Sequence, residues 1–191
     1  MSFLTKNILW IDTETSGIDP NKNFLFQLAY FGTIDGEIVF YNNLKMRPKN
    51  LEDFEFSEEG YKKHQVSLEE ISHYELEEKQ LQTFIKDTHK IDSKWLIAGY
   101  NVGFDIEFLK ALYSRNNALY NKFFYLYYDV MQVCIGKAVE NKINPENFQL
   151  ETIKKYFNIE LPGNAHDAFN DVATTIEVSK KLFNSEEKYG K

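Results

Sequence analysis

Asp12 and Glu14 stand one residue apart where the apolar run of ILWIDTETSG, residues 8 to 17, comes to an end. Side chains of a strand alternate faces with a period of two, so both carboxylates point the same way if the strand persists that far. Like charges held that close repel, and a divalent cation between them is the chemistry this spacing would serve. A polar turn, with Ser16 and Gly17 making the bend, would use the same residue types. Two more segments put acids at the ends of regular elements. In GYNVGFDIEFL, residues 99 to 109, a strand runs into a helix and Asp105 falls in its first turn. In GNAHDAFNDVATT, residues 163 to 175, His166 and Asp171 flank the start of the last helix. Each has an ordinary explanation alone; an acid in a first turn gains a few tenths to about 1 kcal/mol from the helix dipole. Four acids and a histidine at the boundaries of successive elements point instead to one site.

Strands are expected at 7–13, 24–34 and 37–44, the last two joined by Asp35-Gly36, a strong hairpin signal. The stretch 46–56, with Pro48, reads as loop. Ser57 would cap a short helix through His64, and Ser67 with Glu70 fits a capping box for a second. Residues 75–90 carry apolar side chains at 76, 81, 84 and 85, a helical spacing. A strand at 94–100, a helix at 103–116 and a strand at 123–130 follow. Helices at 149–157 and 166–183 end the chain, separated by Pro162-Gly163. This order predicts an α/β fold: a mixed sheet of three antiparallel strands plus parallel strands, flanked by helices, in one domain over 1–191. Its core covers about 7–183, with 184–191 a short tail.

The motifs Asp12-Thr13-Glu14, Asn101 through Leu109, and His166 through Asp171 resemble the three motifs of the DnaQ-like, DEDDh-type 3′–5′ exonucleases, which include the epsilon-type proofreading exonucleases of bacterial and phage DNA polymerases. The connecting pieces SEEGYKKHQVSLEEI (57–71) and FQLETIKKYFNIE (148–160) also look like that family. Tyr100, where many members have histidine, and Gln27, where many have glutamate, depart from the pattern without replacing a catalytic residue. The resemblance implies a ribonuclease H-like fold and hydrolysis of the terminal phosphodiester at a 3′ end. That reaction needs an activated water and relief of charge on the leaving oxygen, which two divalent ions supply. Asp12, Glu14, Asp105 and Asp171 give the oxygen ligands that Mg²⁺ takes, with Mn²⁺ as substitute. His166 is the candidate base, because histidine titrates near neutrality and His64, His73 and His89 lie in polar segments expected to be exposed. Five residues turn a helix by about 140°, so His166 and Asp171 cannot share a helical face, and His166 is expected on the entering loop. Asp167 is the alternative ligand on helical spacing. Thr15 and Gly17 would contact the terminal nucleotide. Asn101 would fix the backbone around Asp105 or touch substrate. Phe108 would stack on the base or pack the core. The aromatics FFYLYY (123–128) suit the core.

The chain has 22 Lys plus Arg against 29 Asp plus Glu, a formal charge of -7, which argues against gripping nucleic acid through a broad basic surface. The single cysteine, Cys134, excludes a disulfide framework within the chain and a cysteine-built zinc site. The N-terminus reads as no signal peptide and no run is long enough to span a bilayer, so a cytoplasmic, membrane-free protein is expected. Substrates are expected to be single-stranded or frayed DNA 3′ ends, or alternatively short RNA and RNA 3′ ends, since discrimination rests on the 2′-hydroxyl. A DNA polymerase is a partner the resemblance suggests, although NSEEKYGK after Phe183 is too short for a tethered binding segment. A haloacid dehalogenase-type phosphatase would need a second aspartate where Glu14 stands. A non-catalytic scaffold would be expected to have lost ligands, and none is missing.

Overall fold

The computed structural model describes residues 7–89, 95–119, 126–161 and 167–187. β1 (Ile8–Thr15), β2 (Leu25–Ile34) and β3 (Glu37–Arg47) are consecutive antiparallel neighbours. β2 and β3 join through Asp35 and Gly36, both at positive φ (51° and 86°), as a two-residue hairpin turn requires. β5 (Leu96–Gly99) and β6 (Tyr127–Asp129) run parallel to β1 on its other side. The two-residue β4 (Glu75–Leu76) lies parallel to the end of β3, and the sheet reads β4-β3-β2-β1-β5-β6.

Alternation along β1 supplies both layers. Leu9 and Ile11 pack with α3 (Glu77–His89) and α4 (Gly103–Arg115) on one face. Ile8 and Trp10 pack with α5 (Val130–Val139), α6 (Leu150–Tyr156) and α7 (Ala168–Glu187) on the other. β1 and β2 therefore lie inside a helix–sheet–helix sandwich, and their apolar runs are near-continuous for that reason. α1 (Glu58–His64) and α2 (Leu68–Ser72) follow a separate small cluster of Phe24, Phe26 and Ile71. Ser57 and Ser67 cap them, accepting from the N–H groups of Gly60 and Glu70.

Several boundaries differ from the expectation. β3 runs on to Arg47, because Met46 and Arg47 gain a partner in β4; Glu75 and Leu76, helical by pattern, are that partner. The strand expected at 123–130 is observed over Tyr127–Asp129, and residues 123–125 lie outside the described ones. Leu126 and Tyr127 are exposed at the sheet edge, whereas Tyr128 packs edge-on against Trp10, so only part of this aromatic run serves the core. Among the described residues, no helix is long and apolar enough to cross a membrane.

Gly99 closes β5 where the chain turns toward α4. A Cβ there would stand 2.7 Å from Ile11 O and 2.8 Å from Val102 Cγ2. Gly99→Ala is therefore expected to destabilise the protein by about 1–3 kcal/mol through forced backbone displacement, read as a lower urea midpoint.

Candidate active site

β1 stays extended through Thr15, so Asp12 and Glu14 emerge on one face, the face covered by α7. α7 enters beside them. Asp167 accepts from the N–H groups of Phe169 and Asn170 and so caps the helix, while Asp171, one turn on, reaches the strand end. Ligand oxygens of Asp12, Glu14 and Asp171 lie within 4.8 Å of one another, all on partly exposed side chains. Of the two acids that helical spacing left open, Asp171 joins the cluster and Asp167 spends one oxygen on the cap. Gln27, opposite Glu14 in the β1–β2 register, donates to Asp167 Oδ2 at 3.4 Å and to Asn43 Oδ1 at 2.9 Å.

Asp105 lies outside that three-residue group but is the neighbouring acid that acts most strongly on Asp12. It is buried, and the hydroxyl of Thr13 donates to its Oδ1 at 2.6 Å. Thr13 lies between Asp12 and Glu14 on the strand, and its hydroxyl holds Asp105 beside the strand end. The turn that delivers it is fixed by Asp129. That carboxylate accepts from the backbone N–H of Asn101, itself at φ 58°, and from Met131 and Gln132 at the start of α5.

The electrostatics are those of crowded, half-dry acids. Burial pushes Asp12 well above the usual carboxylate range, and Asp105, Asp171 and Glu14 push it further. Glu14 is raised to about 8 by burial and then by Asp171, Asp167 and Asp105, with Lys63 opposing. Burial raises Asp105 to about 7 against the hydrogen bond from Thr13, and Asp129 adds to the rise. An oxygen-only donor set that repels itself this strongly fits one or more hard divalent cations.

Thr15 is buried, and its hydroxyl donates to Gly17 O at 2.6 Å. Gly17 lies under the side chain of Asn23, which would collide with a Cβ there at 2.5 Å. Asn101 is exposed, and its N–H anchors the turn before Asp105. Phe108 has no exposed surface and packs against Phe104 in the core, so its ring is not offered to a base; core packing is the outcome. His166 lies outside the described residues. His64 is not an exposed histidine: its ring packs edge-on against Phe26, its Nδ1 accepts from Val66 N–H, and its Nε2 is buried without a partner.

The sequence reading missed three supporting groups. Asp129 precedes a helix, an N-cap signal that was there to be read. Ser16 and Asn23 stitch the loop after Glu14 to residue 55: Ser16 Oγ and Asn23 Nδ2 both donate to Glu55 O, and Ser16 N–H donates to Phe24 O. Ile18, on that loop, is 86% exposed, an apolar side chain beside a polar site.

A model of the RNase T exonuclease family matches residues 9–179. The chain belongs to this exonuclease family. Solved structures agree on the fold. E. coli exonuclease I in complex with a dT13 oligonucleotide superposes with a TM-score of 0.82 at 22% identity, over 96% of this chain and 42% of that one. The zinc-bound complex of E. coli exonuclease I with single-stranded DNA gives 0.79 at 23%, over 95% and 42%. An apo exonuclease I gives 0.78 at 22%, over 95% and 44%. This exonuclease-family chain thus spans less than half the length of these structures, which share its mixed ribonuclease H-like sheet. No curated protein matches it in sequence.

The raised carboxyls give a testable pH dependence. Glu14 and Asp105 hold protons in the fold at pH values where the unfolded chain, with carboxyls near 4, has released them. These groups therefore stabilise the cation-free fold relatively in acid, and that contribution is lost as pH rises from about 4 to about 8. Asp12→Asn removes one charge from the repelling set. In chelator, its melting temperature should exceed that of the wild type by a margin that grows between about pH 5 and pH 8.

Proposed function

We propose that the chain is a metal-dependent 3′–5′ exodeoxyribonuclease that releases nucleoside monophosphates from single-stranded or frayed DNA ends. The observation that carries this reading is the convergence of Asp12, Glu14 and Asp171 within 4.8 Å, on the rim of an exonuclease-family fold. The structural neighbours are in keeping with it, since exonuclease I is seen with single-stranded DNA and, in one case, with a zinc ion.

Two Mg²⁺ ions, or Mn²⁺, would be held by Asp12, Glu14 and Asp171, with Asp105 as the fourth carboxylate. Bound there, they would lower the pKa of a water and relieve charge on the leaving oxygen. The chain's own groups do the rest. Asp12 and Glu14 are pre-aimed by the strand, so their orientation costs nothing at the moment of reaction. Thr13 holds Asp105, and the Asp129 turn holds the helix that carries it. His166 is the base that takes the proton from the attacking water. Thr15 and Gly17 shape the floor under the terminal nucleotide, and the exposed Ile18 gives its base the apolar contact that Phe108 cannot. The one free cysteine, Cys134, is buried, which suits a reducing, cytoplasmic setting. Proofreading beside a polymerase and trimming of free ends would use this same chemistry.

Release of mononucleotides from matched 5′-labelled DNA and RNA oligonucleotides tests the reading. A Mg²⁺-dependent ladder that shortens from the 3′ end, faster on DNA, is expected. Asp12→Ala and Asp171→Asn should each lower kcat by about 10³-fold or more while the protein stays folded by circular dichroism. Full activity in either variant, or cleavage in chelator, would remove this site from the chemistry; a faster RNA ladder would make the enzyme an exoribonuclease.

A further inference from the structure

α1 is pinned at its start to the residue that follows β1 and at its end to β2. Its cap residue, Ser57, donates its backbone N–H to Ser16 O at 2.6 Å. A Cβ on Gly60 would stand 3.7 Å from Thr15 O and 3.5 Å from His64 Nε2, so this side of the helix lies against the strand end. At the other end the His64 ring sits 4.7 Å from that of Phe26, centroid to centroid. Phe26 is the extra residue of β2 at the bulge opposite Glu14 and Thr15.

Residues three apart share a side of a helix, so Lys63 follows Gly60 on the flank turned to the acids. Lys63 is exposed, and no carboxylate among the described residues forms an ion pair with it. In a chain with a formal charge of -7, a polyanionic strand needs such local cations. An exposed cation on this flank, without an ion-pair partner among the described residues, can meet a phosphate of a strand that runs past the strand end.

We propose that Lys63 binds the backbone phosphate adjacent to the scissile one, so that α1 forms a wall of the track by which a single strand enters. This assignment rests on the exonuclease reading above.

Two substrates separate the track from the chemistry: a 5′-labelled oligo-dT, and the p-nitrophenyl ester of thymidine 5′-monophosphate, which has one phosphate and no neighbour. Lys63→Glu is compared with Lys62→Glu, the same charge change one residue away, and with Lys63→Arg. With Mg²⁺, Lys63→Glu should raise KM for the oligonucleotide by about tenfold or more, and by at least tenfold more than it raises KM for the ester. Lys63→Arg should recover most of the loss, Lys62→Glu should cost less, and the salt dependence of the oligonucleotide KM should become shallower by about one phosphate contact. Equal losses on both substrates, no loss on the oligonucleotide, or an equal loss in Lys62→Glu would overturn the assignment. Wild-type protein that cleaves neither substrate would overturn the exonuclease reading and this assignment with it. Wild-type protein that cleaves both leaves that reading standing whatever Lys63→Glu does.

Discussion

Burial and mutual repulsion of the carboxyls Asp12, Glu14 and Asp171 are what the rest of the structure has to contain. The oxygens of the three carboxylates lie within 4.8 Å of one another, and burial of Asp12 and Glu14 weakens the screening by water. Left to themselves, side chains in this position would move apart. They cannot, because β1 is fixed on both faces by helices and on both edges by strands, and Asp12 and Glu14 are alternate residues of it. The apolar half of β1, with Ile8 through Ile11 buried, provides the stability that the acidic half consumes.

The neighbouring groups divide that task. Asp167 caps α7 and so sets where Asp171 stands. Thr13 uses its hydroxyl to hold Asp105 beside the strand end. Asp129 accepts three backbone N–H groups and thereby fixes both the turn before α4 and the start of α5. Ser16 and Asn23 tie the loop after Glu14 to Glu55, and Ser57 ties α1 to Ser16. The acids are thus held by regular elements and by backbone-directed hydrogen bonds. Such a frame keeps ligands aimed before substrate arrives, at the cost of stored electrostatic strain.

Much of this was legible in the residue pattern. The Asp35-Gly36 turn and the apolar runs on either side of it dictated the antiparallel strands, and period two placed Asp12 and Glu14 on one face. What stayed hidden depends on partners far away in sequence. Glu75 and Leu76 look helical until Met46 and Arg47 offer them an edge. His64 sits among Lys62, Lys63 and Gln65, and only the rings of Phe26 and Phe56 reveal it as a packed residue. Phe108 is spaced equally well for core or substrate, and its burial decides for the core. The hydrogen bond by which Thr13 holds Asp105 was invisible too, because its two partners lie 92 residues apart in sequence.

Calorimetric titration of Mn²⁺ into the chelator-stripped protein, repeated in buffers of different ionisation enthalpy, tests the central claim most directly. Glu14, raised to about 8, still holds a proton near pH 7, and a cation must displace it. The expected result is binding that releases at least about one proton near pH 7, with release fading at higher pH and binding lost in Asp12→Ala. Binding without proton release, or binding that survives Asp12→Ala, would contradict the picture of a self-repelling acid cluster waiting for a cation.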